Sequence, residues 1–163
     1  MSANSIKDIL KYEAAVQNAW SAILQNAGIP AGQVFIEFLN QSAVTPRVEI
    51  NLTNIVPTLH RGQFLPGQFT FDAWHGQLVT RVITRRNVNG AQHDDLLAIA
   101  RSEALYFKNR FTVTLLPWHC MTQIEEASTH RMIDPERDED ITELTHKIVL
   151  SVRAGAWPPG EQP

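Results

Sequence analysis

The residues of this chain best equipped for chemistry are six histidines (His60, His75, His93, His119, His130 and His146) and one cysteine, Cys120. Zinc sites draw paired ligands a few residues apart from one turn, strand or helix. The only close pair here is His119-Cys120, and adjacent residues on a strand point to opposite faces, so the two do not easily share a metal. The densest charge run, Asp134-Pro135-Glu136-Arg137-Asp138-Glu139-Asp140, places carboxylates at alternate positions, as the start of a calcium loop does. It fails at the diagnostic place: Glu139 stands where the sharp turn needs glycine, and Arg137 adds an opposing charge. A solvated hairpin tip is the expectation.

Nucleophilic and phosphate chemistry find less support. No serine sits in a Gly-x-Ser-x-Gly elbow, and no glycine-rich phosphate loop is present. Glu125 and Glu126 are adjacent, which on a strand splits them between two faces. No catalytic residue, metal or cofactor is therefore expected, and the chain is not read as an enzyme. Two basic clusters remain, Arg81 with Arg85-Arg86, and Arg101 with Lys108 and Arg110, without the interleaved aromatics of a single-strand nucleic-acid platform. Their sign is opposite to that of the acidic run. They serve either as a solvated face or as a subunit interface in which Arg81, Arg85 and Arg86 of one copy face Asp134, Glu136, Asp138 and Asp140 of a neighbour.

The elements that position these groups follow from periodicity. Ile6, Ile9, Leu10, Val16, Trp20, Ile23, Leu24 and Ala27 recur at helical spacing, and Gly28 with Pro30 stops the helix. Ser5 and Asp8 stand at the spacing of a capping box. Strand formers occupy 34–39, and Val48, Ile50 and Leu52 alternate with polar residues as in a half-buried strand. Pro57, Gly62, Pro66 and Gly67 predict a long connection. Phe69, Phe71 and 77–84 read as further strand, with Gly76 at a bulge or bend. His93-Asp94-Asp95 opens a second helix, its carboxylates at the positive end of the dipole and Leu96, Leu97, Ala100, Ala104 and Phe107 on its buried stripe. Strands are expected at 111–116, at 121–127 and at 144–152, where His146 falls on the apolar face.

This order, a helix, two or three strands, a helix and two or three strands (α-β-β-β-α-β-β when 121–127 is left out), predicts an α+β fold: a mixed, mainly antiparallel sheet with two main helices packed on it. Residues 1–157 form one domain and 158–163 a flexible tail after Trp157-Pro158-Pro159. With 163 residues, a domain buries roughly 70% of its unfolded surface and needs neither disulfide nor metal. A lone cysteine excludes a secreted disulfide scaffold, and no apolar run reaches the length of a membrane span. No secretory signal pattern opens the chain, so a cytoplasmic origin is expected. A net charge of −3 argues against a dedicated nucleic-acid binder, though not against a ring through which DNA passes.

The element order and several phrases resemble tailed-phage assembly proteins of the head–tail junction, most closely tail terminator (tail completion) proteins. The phrases are Pro46-Arg47-Val48-Glu49-Ile50, Phe71-Asp72-Ala73-Trp74-His75-Gly76, Leu116-Pro117-Trp118-His119, and the ending from Ile141-Thr142-Glu143-Leu144 to Trp157-Pro158. The resemblance implies a homohexameric ring that caps the tail tube, ends its polymerisation and offers a docking face to the head connector. Its implied partners are further copies of the chain, the tail tube protein and a head-completion protein, with no membrane. DNA would pass through the lumen unread, in a virion assembled in the host cytoplasm. The polar stretches 56–68 and 128–141 would serve as loops reaching a neighbouring subunit or ring. Head-closure and neck ring proteins share this style. A small enzyme or ligand-binding domain, with Trp74, His75, Trp118 and His119 lining one cavity, is the reading from a different class.

Overall fold

The computed structural model of the chain describes residues 4–37, 44–59, 72–86, 90–108, 111–115 and 118–152. Helix α1 (Asn4–Asn26) leads through a short 3-10 turn at Ala31–Gln33 into strands β1 (Val34–Ile36), β2 (Arg47–Leu59) and β3 (Asp72–Arg85). Helix α2 (Gly90–Tyr106) follows, then β4 (Phe111–Leu115), β5 (Trp118–Asp134) and β6 (Glu139–Val152). The six strands form one sheet in the order β1-β2-β3-β6-β5-β4. β1 runs parallel to β2, and every other neighbouring pair is antiparallel. The fold is thus the expected α+β arrangement, with three strands after the second helix.

Both helices lie on one face of the sheet, α1 against β1, β2 and β4, and α2 against β3 and β5. Val16, Trp20 and Leu24 recur every fourth residue, so α1 presents one apolar line to the sheet. They bury against Val48 and Ile50 of β2, Leu78 and Val82 of β3, and Leu144 and Ile148 of β6, while Leu96, Leu97, Ala100 and Ala104 of α2 complete the core. Each fully buried aliphatic side chain contributes about 1.5–3 kcal/mol. Trp20, the largest fully buried side chain among the described residues, donates its indole N–H to the Thr80 hydroxyl at 3.0 Å, which satisfies the one polar atom of the ring. His146 belongs to the same layer, as its place on the apolar face of the last strand predicts, with its ring 6.1 Å from that of Trp20.

The stop to α1 is built as expected. Gly28 has φ +116°, its N–H donates to the Gln25 carbonyl, and the Ile29 N–H reaches back to Leu24. That pair of bonds is a Schellman closure, and Leu24 and Ile29 supply its apolar contact.

Four expectations need correction. α2 begins at Gly90, so Asp94 and Asp95 lie past the first turn, where the helix dipole fades, and His93 points into the protein instead of opening the helix. The bulge lies opposite Gly76 and not on it: β3 pairs with β6 without a break from Ala73 to Arg85, and in the β2–β3 ladder the extra residue is on β2, between Thr53 and Val56, across from Gly76. The irregularities fall between Thr53 and Val56 and between Glu126 and Ser128. The long connection after Pro57 starts later, because β2 runs through Pro57 to Leu59; residues 60–68 lie outside the described residues. Finally, 128–141 is a β-hairpin with a turn at 135–138, not a loop. Its polar composition reflects exposure on both sides of a sheet margin, and polarity alone does not distinguish that from irregular chain. The 158–163 tail also lies outside the described residues.

Candidate functional site

The second face of the sheet, turned away from the helices, carries the charged groups. Side chains alternate along a strand, so the partners of the apolar positions in β2, β3 and β6 all point this way. On β2 these are Arg47 and Glu49, a two-residue spacing that places both on one face. Arg47 Nε donates to Glu49 Oε1 at 2.8 Å, and its two terminal nitrogens grip Glu139 at 2.7 and 3.1 Å. All three side chains are at least 95% buried. Burial on its own would lower the Arg47 pKa, but hydrogen bonds to Glu139 and Glu49, with their charges, outweigh it and hold the guanidinium above its usual value. One cation thus ties β2 to the start of β6 across β3.

Next to this triad, Arg81 donates to Glu143 at 2.8 Å across β3 and β6, in a partly exposed pair. The register sets Glu49, Arg81, Glu143 and His130 in one row across four strands. Arg85 stands opposite Glu139 in the β3–β6 ladder, and the Arg86 N–H donates to the Asp138 carbonyl at 2.8 Å. Asp134 shapes the hairpin turn by accepting the N–H groups of Glu136 and Arg137 on one carboxylate oxygen.

The basic cluster and the acidic run predicted from sequence therefore meet, and they meet within one chain. Arg81 is engaged by Glu143. Arg85, Arg86, Glu136 and Asp138 remain exposed at the same end of the sheet, with Asp134 and Asp140 half-buried beside them. The acidic turn is a hairpin tip as expected, except that Glu139, at its base, is drawn under the sheet to Arg47.

The helix-side face holds a second polar device. His93 bridges the two central strands: Nδ1 shares a hydrogen bond with the Thr84 hydroxyl and Nε2 with Thr142, each at 2.7 Å. Burial lowers its pKa, against the charges of Asp140 and Asp94 and with that of Arg131. The neutral ring, one nitrogen donating and one accepting, matches two hydroxyls that can each play either part.

Sequence reasoning passed over Arg47, Glu49 and Glu139 as a unit, along with the roles of His93, Thr84 and Thr142. The same-face spacing of Arg47 and Glu49 was the one available signal; Glu139 is 92 residues from Arg47 and left none. Among the described residues, no three His, Cys, Asp or Glu side chains are grouped to hold a metal. Trp74 and His75 lie on β3 and Trp118 and His119 on β5, with β6 between the two strands; their side chains, and that of Cys120, lie outside the described residues. No helix among the described residues is long and apolar enough to cross a membrane.

No protein-family model and no curated protein matches the chain. Among solved structures, it aligns with a chain from a structure titled "Virion of native gene transfer agent (GTA) particle", over 85% of this chain and 93% of that one. The TM-score is 0.54 at 11% identity. A second solved structure aligns over 94% of this chain and 97% of its own, with a TM-score of 0.51 at 13% identity. At such identities the shared property is the fold, along nearly the whole of each chain.

Proposed function

We propose that this chain is a structural virion assembly protein, a ring subunit that caps a phage tail tube, ends its polymerisation and gives the head connector its docking face. The observation that carries this reading is the fold shared, nearly end to end, with a chain of a gene transfer agent particle. Two further features support it. The charged groups of the second face are spent on one another, in Arg47–Glu49–Glu139 and Arg81–Glu143, in keeping with a protein that works by contact and not by catalysis. The exposed end of the sheet offers Arg85, Arg86, Glu136 and Asp138 together, a mixed-charge patch suited to a polar interface rim.

In this reading the partners are other copies in a homohexameric ring, the tail tube protein and a head-completion protein. DNA passes through the lumen without specific binding, and the protein resides in the virion after assembly in the host cytoplasm. The test is to add purified protein to elongating cognate tail tubes and follow tube length by electron microscopy. Arrested growth with density at one tube end is the expected result. Tubes that lengthen unchanged, with the protein bound to the connector alone, would replace the terminator role by that of a head-closure ring.

A further inference from the structure

The two edges of the sheet are stepped, and the steps are complementary. β1 pairs with β2 only at Val48–Ile50, so from Leu52 to Leu59 no strand lies outside β2 among the described residues. β4 pairs with β5 only at Trp118–Thr122, so from Gln123 to Asp134 none lies outside β5 either. The register fixes the relative heights of these steps. Val34, Val48, Val82, Thr142 and Arg131 stand on one line across the sheet, which puts β1 level with the open part of β5 on the opposite edge. Pro57, Trp74, Leu150, Thr122 and Phe111 form another line, which puts β4 level with the open part of β2.

A second copy set alongside, with its strands in the same orientation, brings its β1 to the open stretch of β5 and its open β2 to the first copy's β4. Directions agree as well. β2 and β6 run one way and β3 and β5 the other, so an incoming β1, parallel to its own β2, meets β5 in the antiparallel sense. The β5 backbone also presents its groups correctly. The Ile124 N–H points outward, donating to the Lys108 carbonyl at 3.3 Å. Outward groups alternate along the strand, and the bulge between Glu126 and Ser128 moves the alternation by one. Past the bulge, Thr129 and Arg131 therefore face outward, and the register sets them level with Ile36 and Val34 of β1. Arg131 is exposed, as is Ile36 at the opposite edge.

We infer that copies of this chain join edge to edge by strand addition, the β1 edge of one copy extending the sheet of the next along the Thr129–Arg131 stretch of β5. The contact is heterologous and so generates a ring or a filament; closure as a ring rests on the function proposed above, whereas the strand pairing rests on the register.

The test uses the full chain from micromolar to millimolar concentration, with sedimentation velocity and residue-resolved amide exchange. Arg131→Pro removes an outward donor and leaves the β6 ladder intact, because proline is accepted where its missing N–H faces away from the paired strand. Arg131→Ala keeps the donor and removes the charged side chain. Wild type and Arg131→Ala are expected to assemble with slowed exchange at residue 131, and Arg131→Pro to associate about tenfold more weakly, the equivalent of about one strand hydrogen bond. Ile36→Pro, on the incoming strand, serves as a second donor deletion should Arg131→Pro fail to fold, since the Glu37 N–H points to β2 and that of Ile36 away from it. Assembly of both proline variants at wild-type affinity would overturn the strand pairing and leave a ring held by another surface. A wild type whose Arg131 amide exchanges freely even on capped tubes would also overturn it, without touching the capping role.

Discussion

Replacing Arg47 by methionine isolates the largest electrostatic commitment in the fold. The residue makes three charge-assisted hydrogen bonds, at 2.7, 2.8 and 3.1 Å, to two carboxylates that are themselves buried. Methionine fills a similar volume, so packing is largely conserved and the change is mainly one of charge. Glu49 and Glu139 would then face each other in a dry site with no cation between them. Breaking a buried ion pair from one side costs about 3–5 kcal/mol, because the remaining charge loses its partner but not its desolvation. A domain of this kind holds about 5–15 kcal/mol in total, so Arg47→Met should remove a third or more of it. Removing all three charges, as Arg47→Met with Glu49→Leu and Glu139→Leu, should restore most of the loss, since apolar replacement of a whole buried network is often neutral or stabilising. Urea unfolding at pH 7, followed by tryptophan fluorescence with linear extrapolation, reads both variants. A single variant within about 1 kcal/mol of wild type, or a triple variant no better than the single, would show that the triad does not carry this weight.

Two other perturbations address the helix-side face. Thr80→Val leaves the Trp20 indole N–H buried without its acceptor and should cost about 1–3 kcal/mol, with Thr80→Ser close to wild type; equal losses in the same urea assay would deny the hydrogen bond its role. His93 has a folded pKa below its ordinary 6.5, so the unfolded chain binds protons more readily. Its contribution to stability is therefore complete above about pH 6.5 and is lost as pH falls through the lower folded value. His93→Gln should flatten the slope of stability against pH between about 7 and 5, and an unchanged slope would assign that dependence to other groups.

The parts of this fold that are legible in the sequence are those fixed by local rules. The four-residue recurrence of Val16, Trp20 and Leu24, the stop at Gly28 and the alternation around Val48, Ile50 and Leu52 each depend on a few neighbouring residues. The positions that misled are those where tertiary pairing decides. Pro57 reads as a strand breaker, yet it lies where β2 has no strand outside it among the described residues and its missing N–H goes unneeded. Ser128 to Asp134 reads as loop because exposure on both faces erases the period-two signal that burial of one face would have left. The charge signs of the arginine cluster and the acidic run were informative, but sequence could not say whether such groups meet within a chain or between chains. The hairpin brings Glu139 opposite Arg85 within one chain, while the side chains of Arg85, Arg86, Glu136 and Asp138 stay exposed.

If the chain is the ring subunit proposed above, the irregularities on the two sheet edges, open among the described residues, bear on how it avoids stray pairing before assembly. A long flat edge invites pairing with any strand, and proteins blunt such edges with bulges, prolines and charges. Here the open part of β2 carries an irregularity between Thr53 and Val56 and then Pro57, and the open part of β5 carries one between Glu126 and Ser128 and then Arg131. These devices leave only short regular stretches, and on β5 that stretch stands level with a β1 of three residues. Three residues form too short a partner to hold on their own, since strand pairs of this size are marginal without further packing. Pairing on this edge therefore gains most where β4 meets the open β2 at the other step of the same junction. That requirement favours another copy of this chain over a stray strand, because a free peptide satisfies one step and not both. A synthetic peptide of the β1 sequence should accordingly fail to protect the Arg131 amide at concentrations where the intact chain does, and protection by the peptide alone would show that the second step contributes nothing.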